Sequence, residues 1–318
     1  MAVVSDRPPA AAAVRRVSAA GLALGLLGLA TTLFVLIRLF ESWRVGPGPV
    51  SHHITVLGQR LGYPTANVDA IVIVGLALLA VVASALAAGG AAHELLIARR
   101  LRRWLSSRTR RELDGALVIA DERPLAFCFG FWHPAIYIST GVIELLDRDA
   151  LSAVLEHERH HATRRDPLRF AAGRVLARSL FFLPGLDALV RRHDALAELS
   201  ADESAVDAAP ENRSALARAM LSFSDANAAG HSVGFDPARV EYLLGEPPSL
   251  AFPVLRFLAA ALVIALLVAV AAVAGHAASG SATLAPPFLS SQPCIVVLAT
   301  LPALAAVLAV RVGRKLRR

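Results

Sequence analysis

The sequence predicts a mainly α membrane protein: four transmembrane helices, with an α+β domain holding a small sheet between the second and the third. Three observations carry the prediction. Of the 318 residues, 56% are hydrophobic and mean hydropathy is +0.56, too apolar for an ordinary soluble chain. The apolar residues gather in four stretches, 21–40, 70–92, 254–275 and 294–310, each near the ~20 residues an α-helix needs to cross a bilayer. Between the second and third stretches lies a polar region where short strand-like runs precede an amphipathic helix.

Residues 1–18, rich in Ala, Pro and Arg, read as a disordered tail. The apolar run at 21–40 is longer than a signal peptide's, and no small-residue cleavage site follows, so it reads as an anchor. The loop 41–69 carries Gly46, Pro47, Gly48, Pro49, Gly62 and Pro64, which are turn signals. Its His52-His53 pair has no carboxylate or Cys beside it and reads as an exposed pair. Together 19–92 form two spans with an external loop. Residues 93–113 then read as a basic amphipathic helix leaving the membrane. The runs 116–120 (ALVIA), 125–130 (LAFCFG) and 135–139 (AIYIS) have strand composition and are separated by turn residues. A helix is expected over 142–146. The apolar stretch 168–190 is interrupted by Arg169, Arg174, Arg178, Asp187 and Pro184-Gly185; it reads as a core or membrane-skimming helix. A helix over 189–207, a loop over 227–236 and a short helix over 237–245 complete the domain, 93–252. Residues 253–312 form two more spans with a short external loop. The last of these contains Pro302 but is followed at once by Arg311, Arg314, Lys315, Arg317 and Arg318; 313–318 is a basic tail.

The chemistry concentrates in His157-Glu158-Arg159-His160-His161, an H-E-x-x-H. Asp147 or Asp149 can cap the helix that holds it, and Pro167 disfavours helix at Asp166. On that helix i and i+4 share a face, so His157 and His161 can aim two imidazoles at one zinc ion, with Glu158 beside them to take a proton from water. His160, at i+3, is a rival ligand; His161 is preferred because it leaves Glu158 beside the first ligand. A third protein ligand is needed. In Ala197-Glu198-Leu199-Ser200-Ala201-Asp202, Glu198 and Asp202 are again i and i+4. Glu198 can complete a His₂Glu set, and Asp202 can hold the second N–H of a ligating His. Asp166 is a further candidate for that supporting role. Phe127, Cys128, Phe129 and Gly130 are candidates for a sheet edge that takes substrate as an added strand. His193, His231 and Tyr242 are candidates for stabilising an oxyanion, with no spacing to choose among them.

The net charge is +7. Arg7, Arg15 and Arg16, the run Arg99, Arg100, Arg102, Arg103, Arg108, Arg110 and Arg111, and the C-terminal cluster all fall on one side of four spans, whereas the loop 276–293 has no Lys or Arg. By the positive-inside rule that side is the cytoplasm, which places both termini and the domain there. The arginines suit anionic headgroups. No nucleic acid is expected, since no recognition motif or aromatic-interleaved basic face accompanies them. Cys128 and Cys294 fall in different compartments and form no disulfide or zinc pair.

These residues resemble the metallopeptidase module of the BlaR/MecR antirepressor family. The resemblance covers 123–248 and rests on the strands ending in 135–141, on His157-Glu158-x-x-His161 followed by Arg165-Asp166-Pro167, on Phe181-Phe182-Leu183-Pro184, on Ala197-Glu198 to Asp202, and on 239–244. It implies a gluzincin-like fold, zinc at His157, His161 and Glu198, and Glu158 as general base. Because the sequence ends just after its fourth apolar stretch, the family's penicillin-binding sensor domain is not expected here. The Ala-Asp ending of the second motif is also similar to HtpX and CAAX-prenyl proteases, although those tend to have a span between the two motifs.

The expectation is therefore a multi-pass cell-membrane zinc metalloendopeptidase with one Zn²⁺ per chain and a cytoplasmic catalytic domain. Its role would be regulated proteolysis of a BlaI/MecI-type repressor or of itself. The alternatives are HtpX-like quality control of membrane proteins and, in another class, a non-catalytic receptor or scaffold with a structural zinc.

Overall fold

The computed structural model describes residues 10–42, 52–56, 59–63, 68–209, 211–227, 237–245 and 251–281. The chain divides into two compact units.

The apolar unit holds 22–93, 174–187 and 254–318. Its helices are most of α1 (Ala10–Ser42), the first part of α2 (Val68–Arg108) and α9 (Val254–Ser281), with a hairpin of β1 (His52–Val56) and β2 (Gln59–Tyr63) between the first two helices. Among the described residues three helices are long and apolar enough to cross a membrane: Ala10–Arg38, Val72–Arg108 and Val254–His276. Val35, Ala80 and Ala271 form a buried cluster that joins all three. Their outward faces carry large apolar side chains, with Leu78 62% and Leu262 70% exposed. Lipid suits such faces and water does not. The expected fourth span, 294–310, lies outside the described residues. Part of the stretch 168–190 belongs to this unit. Gly25 and Gly28 of α1 lie against Leu176, Leu180 and Leu183, and a Cβ at either glycine would come within 2.7–2.8 Å of a leucine methyl. The missing side chains let the segment dock on α1.

Among the helix bounds, those of α1 and α2 differ most from expectation. α1 begins at Ala10, so 10–18 is helical where a disordered tail was expected. The first free N–H finds a partner far along the chain, since Ala10 N–H donates to Glu203 Oε2 at 2.8 Å. α2 runs unbroken to Arg108, so span and basic segment are one helix, and 109–113 is a strand where helix was expected.

The second unit holds 1–21, 94–173 and 188–253. Its sheet has the order β3 (Thr109–Leu113), β4 (Ala116–Ile119), β6 (Ala135–Ser139), β5 (Ala126–Phe129). β4 and β6 are parallel, with Val118 opposite Ile138, and the outer pairs are antiparallel. The β3–β4 turn is Asp114-Gly115, both at positive φ (49° and 78°), the two-residue hairpin that Asp-Gly favours. β5 is an edge strand. β6 runs into α3 (Thr140–Leu145) through the cap Ser139, whose Oγ accepts from the Val142 and Leu125 N–H groups and donates to Arg123 C=O at 2.6 Å. At Gly141 a Cβ would lie 2.0 Å from Glu122 C=O, so only glycine lets the turn close.

α4 (Arg148–Arg164) starts at Asp147, whose side chain accepts from Ala150 N–H, and stops at Arg165 in the left-handed region. α5 (Asp166–Ser179) follows at once, with Pro167 in the first turn, where a missing N–H costs nothing. α6 (Leu186–Ala208), α7 (Asn212–Asn227) and α8 (Pro237–Leu243) complete the unit. Val118, Ile136, Ile138, Val142, Val154, Leu155, Leu216 and Leu243 form one core. It clamps α4 between the sheet and α7, and so fixes the face of α4 that turns away from it.

Candidate metal centre

That face carries His157 and His161, both buried. Each ring is fixed from behind by a fully buried aspartate. His157 Nδ1 is 2.9 Å from Asp202 Oδ1, and His161 Nδ1 is 2.9 Å from Asp166 Oδ2. A carboxylate only accepts, so His161 Nδ1 carries the hydrogen of its bond to Asp166, while His157 Nδ1 and Asp202 make a close ion-pair contact; the two Nε2 atoms are turned to each other, 3.2 Å apart. Glu198 closes the triangle, with Oε2 3.5 Å from His157 Nε2 and Oε1 3.5 Å from His161 Nε2. Ligands at the ~2.0–2.1 Å zinc distance on a tetrahedron lie about 3.3–3.4 Å apart. The spacings here are close to these, although the two Glu198 edges run to different oxygens, and the three side chains form a group that could hold a metal ion, with one ligand atom of each within 4.8 Å of the others.

The charges tell the same story. Burial would lower the His157 imidazole, but the carboxylates of Asp202 and Glu198 beside its ring nitrogens outweigh it and raise it to about 10. Burial would raise the Glu198 carboxyl, yet His157, His161 and Arg239 hold it at about 2. The cluster demands positive charge at the point the Nε2 atoms face. A proton meets that demand, and a divalent cation would meet it better.

Glu158 is pushed up, first by burial and then by Glu198, against the pull of the two histidines. The Cys128 backbone on β5 also pulls it down, by the smallest of these effects, and β5 packs against the H-E-x-x-H helix. The Cys128 thiol is pushed up to about 12 by burial, Glu158 and Asp166, so it is no nucleophile. Phe127 stacks on Tyr137 with ring centroids 5.8 Å apart, and Gly130 turns the chain at φ 124°.

The other described candidates have contacts of their own. His160 Nε2 is 3.1 Å from Ser200 Oγ and stands outside the ligand triangle; burial and then Arg164 lower it to about 4. His193 Nδ1 faces Asp194 at 3.1 Å, and its ring packs on Phe170, which also packs on His161. The Tyr242 ring lies under the Arg213 guanidinium at 4.8 Å. His231 lies outside the described residues.

One residue escaped the sequence reading. Arg239 of α8 donates from Nε and Nη2 to the two oxygens of Asp202, at 2.7 and 2.8 Å, and from Nη1 to Glu198 Oε2 at 2.9 Å. It sits 41 residues beyond Glu198, with no periodic relation to it, so only folding brings it there.

A family model described as BlaR1 peptidase M56 matches residues 61–239, more than half of the chain and every residue of the centre. A comparison with curated proteins gave no match.

Proposed function

The chain belongs to the BlaR1 peptidase M56 family, and from that premise we propose that it is a membrane zinc metalloendopeptidase working at His157, Glu158, His161 and Glu198. The observation that carries this reading is the ligand triangle with both imidazoles locked by buried aspartates.

His157, His161 and Glu198 would hold the ion. When bound, zinc supplies Lewis acidity, which acidifies water and polarises a carbonyl oxygen. The chain's own residues do the rest. Asp202 and Asp166 keep each Nδ1 protonated, so each Nε2 stays a donor of its lone pair. Glu158, whose burial raises its proton affinity, takes a proton from water and later delivers it to the leaving amine. β5, an edge strand among the described residues, would offer its outer side to an extended substrate, and the action of the Cys128 backbone on Glu158 places that edge at the base. Main-chain pairing there binds peptide without reading its sequence.

We place the catalytic domain and both termini in the cytoplasm, since every strong basic cluster falls on one side of four spans. The substrate we propose is a BlaI/MecI-type repressor or the chain itself, on the strength of the family resemblance.

The test is the zinc content of the detergent-purified full chain, wild type beside Glu198→Ala. About one zinc per chain, lost or much weakened in the variant, is expected. Undiminished zinc in the variant removes Glu198 from the ligand set, and zinc-free wild type overturns the reading. Coexpression with a candidate repressor, with Glu158→Gln as control, then tests the substrate.

A further inference from the structure

Arg239 is the cation that binds two carboxylates of the centre at once. Its planar fork meets Asp202 through two parallel bonds, and its remaining nitrogen reaches Glu198 Oε2. The guanidinium is 15% exposed and Asp202 fully buried. Lysine has the charge but not the fork, so it cannot satisfy both oxygens of one carboxylate and an oxygen of another in one plane.

The seat of Arg239 is built independently of the centre. Arg213 of α7 donates to Tyr242 C=O at 2.6 Å and stacks over the Tyr242 ring, and Leu243 is buried in the core. α8 therefore stays docked through contacts that do not involve the carboxylates. From that seat Arg239 acts on each carboxylate differently. At Asp202 it occupies both oxygens, so the carboxylate cannot rotate away from His157 Nδ1. At Glu198 it holds Oε2 and leaves Oε1 facing His161 Nε2, 3.5 Å away.

We propose that Arg239 is a positioning residue of the metal centre, which fixes the third ligand Glu198 and the orienting Asp202 together from α8. The inference rests on the metallopeptidase reading and extends it. The centre is then assembled from α4, the α4–α5 junction, α6 and α8, and the last of these contributes geometry without a ligand.

The test uses the full chain in detergent, with zinc affinity measured against a competing chelator and the visible absorption of the Co²⁺-substituted protein as a probe of coordination. Arg239→Ala is expected to weaken zinc by roughly 10–100-fold, the cost typical of removing a partner that orients a ligand, and to shift the Co²⁺ bands. Arg239→Lys is expected to recover part of the affinity and not the wild-type bands. Wild-type affinity and spectrum in Arg239→Ala overturn the proposal. If Arg239→Ala does not fold, Arg239→Lys decides: wild-type affinity with unchanged bands overturns the role. Glu198→Ala distinguishes the two levels, because undiminished zinc in that variant removes the ligand, and the clamp on it falls too.

Discussion

At the scale of residues the centre is a contest between a proton and a metal. With no ion bound, His157 is raised to about 10, above the ~6.5 of a free imidazole. Its contribution to the stability of the metal-free fold is complete below that free value and is lost as pH rises through about 10. Glu198 works in the opposite sense: lowered to about 2, it stabilises above the ordinary carboxyl range and loses that effect as pH falls through about 2. Zinc must displace the His157 proton, so its affinity should keep rising with pH up to about 10. Titration calorimetry at pH 8 in two buffers of different ionisation enthalpy should show about one proton released per zinc; no release would mean that His157 is already neutral. Glu158→Gln tests the neighbouring group. It removes the base and no ligand, so the variant should keep its zinc and lose cleavage, and retained cleavage would exclude Glu158 as the base. Much of this centre was legible in the sequence, because His157 with His161 and Glu198 with Asp202 share a face by helical spacing alone. Arg239 was not, since its bonds join α6 to α8 through space and follow no period.

At the scale of elements, the proposed substrate seat rests on β5. The sequence showed three short strands by composition, and their bounds survive to within a residue or two. Composition does not give strand order, and order is what makes β5 an edge beside α4. In an antiparallel ladder alternate residues turn their amides outward; Leu125 C=O accepts from Ser139 N–H, so Cys128, three residues on and opposite Ile136, is one of these, and its backbone acts on Glu158. Cys128→Pro should therefore be tolerated by the pairing with β6, as outward-facing proline is on an edge strand, yet remove a donor at the base and obstruct an added strand. Zinc content should stay at the wild-type level while peptide cleavage falls about tenfold, what the loss of one hydrogen bond of ~1.4 kcal/mol produces, with KM rising. Cys128→Ser, which keeps the amide, should cleave normally. Equal cleavage by both variants would show that substrate does not lie on β5. The helix ends illustrate the complementary lesson. Ala10, where the described part of α1 begins, gives its N–H to Glu203, 193 residues away, and no period in the sequence announces that partner.

At the scale of the whole molecule, the proposal of a cytoplasmic peptidase depends on which way the chain is threaded. The basic half of α2 settles this if it can be probed. α2 is one unbroken helix from Val68 to Arg108, so the side reached by its C-terminal end is the side on which the chain enters β3. Arg99, Arg100, Arg102 and Arg103 resist translocation, and each gains about 1 kcal/mol beside an anionic cytoplasmic leaflet. Ser106 is exposed near that end, its hydroxyl donating to Arg103 C=O of its own helix, and a cysteine there should be tolerated. In a background of Cys128→Ser and Cys294→Ser, Ser106→Cys should react with a membrane-impermeant maleimide only after cells are permeabilised, whereas Gly48→Cys, in the loop 41–69, should react in intact cells. The reverse pattern would put the metal centre outside, where a cytoplasmic repressor could not reach it, and would leave quality control or self-cleavage on the outer face as the work of the same site.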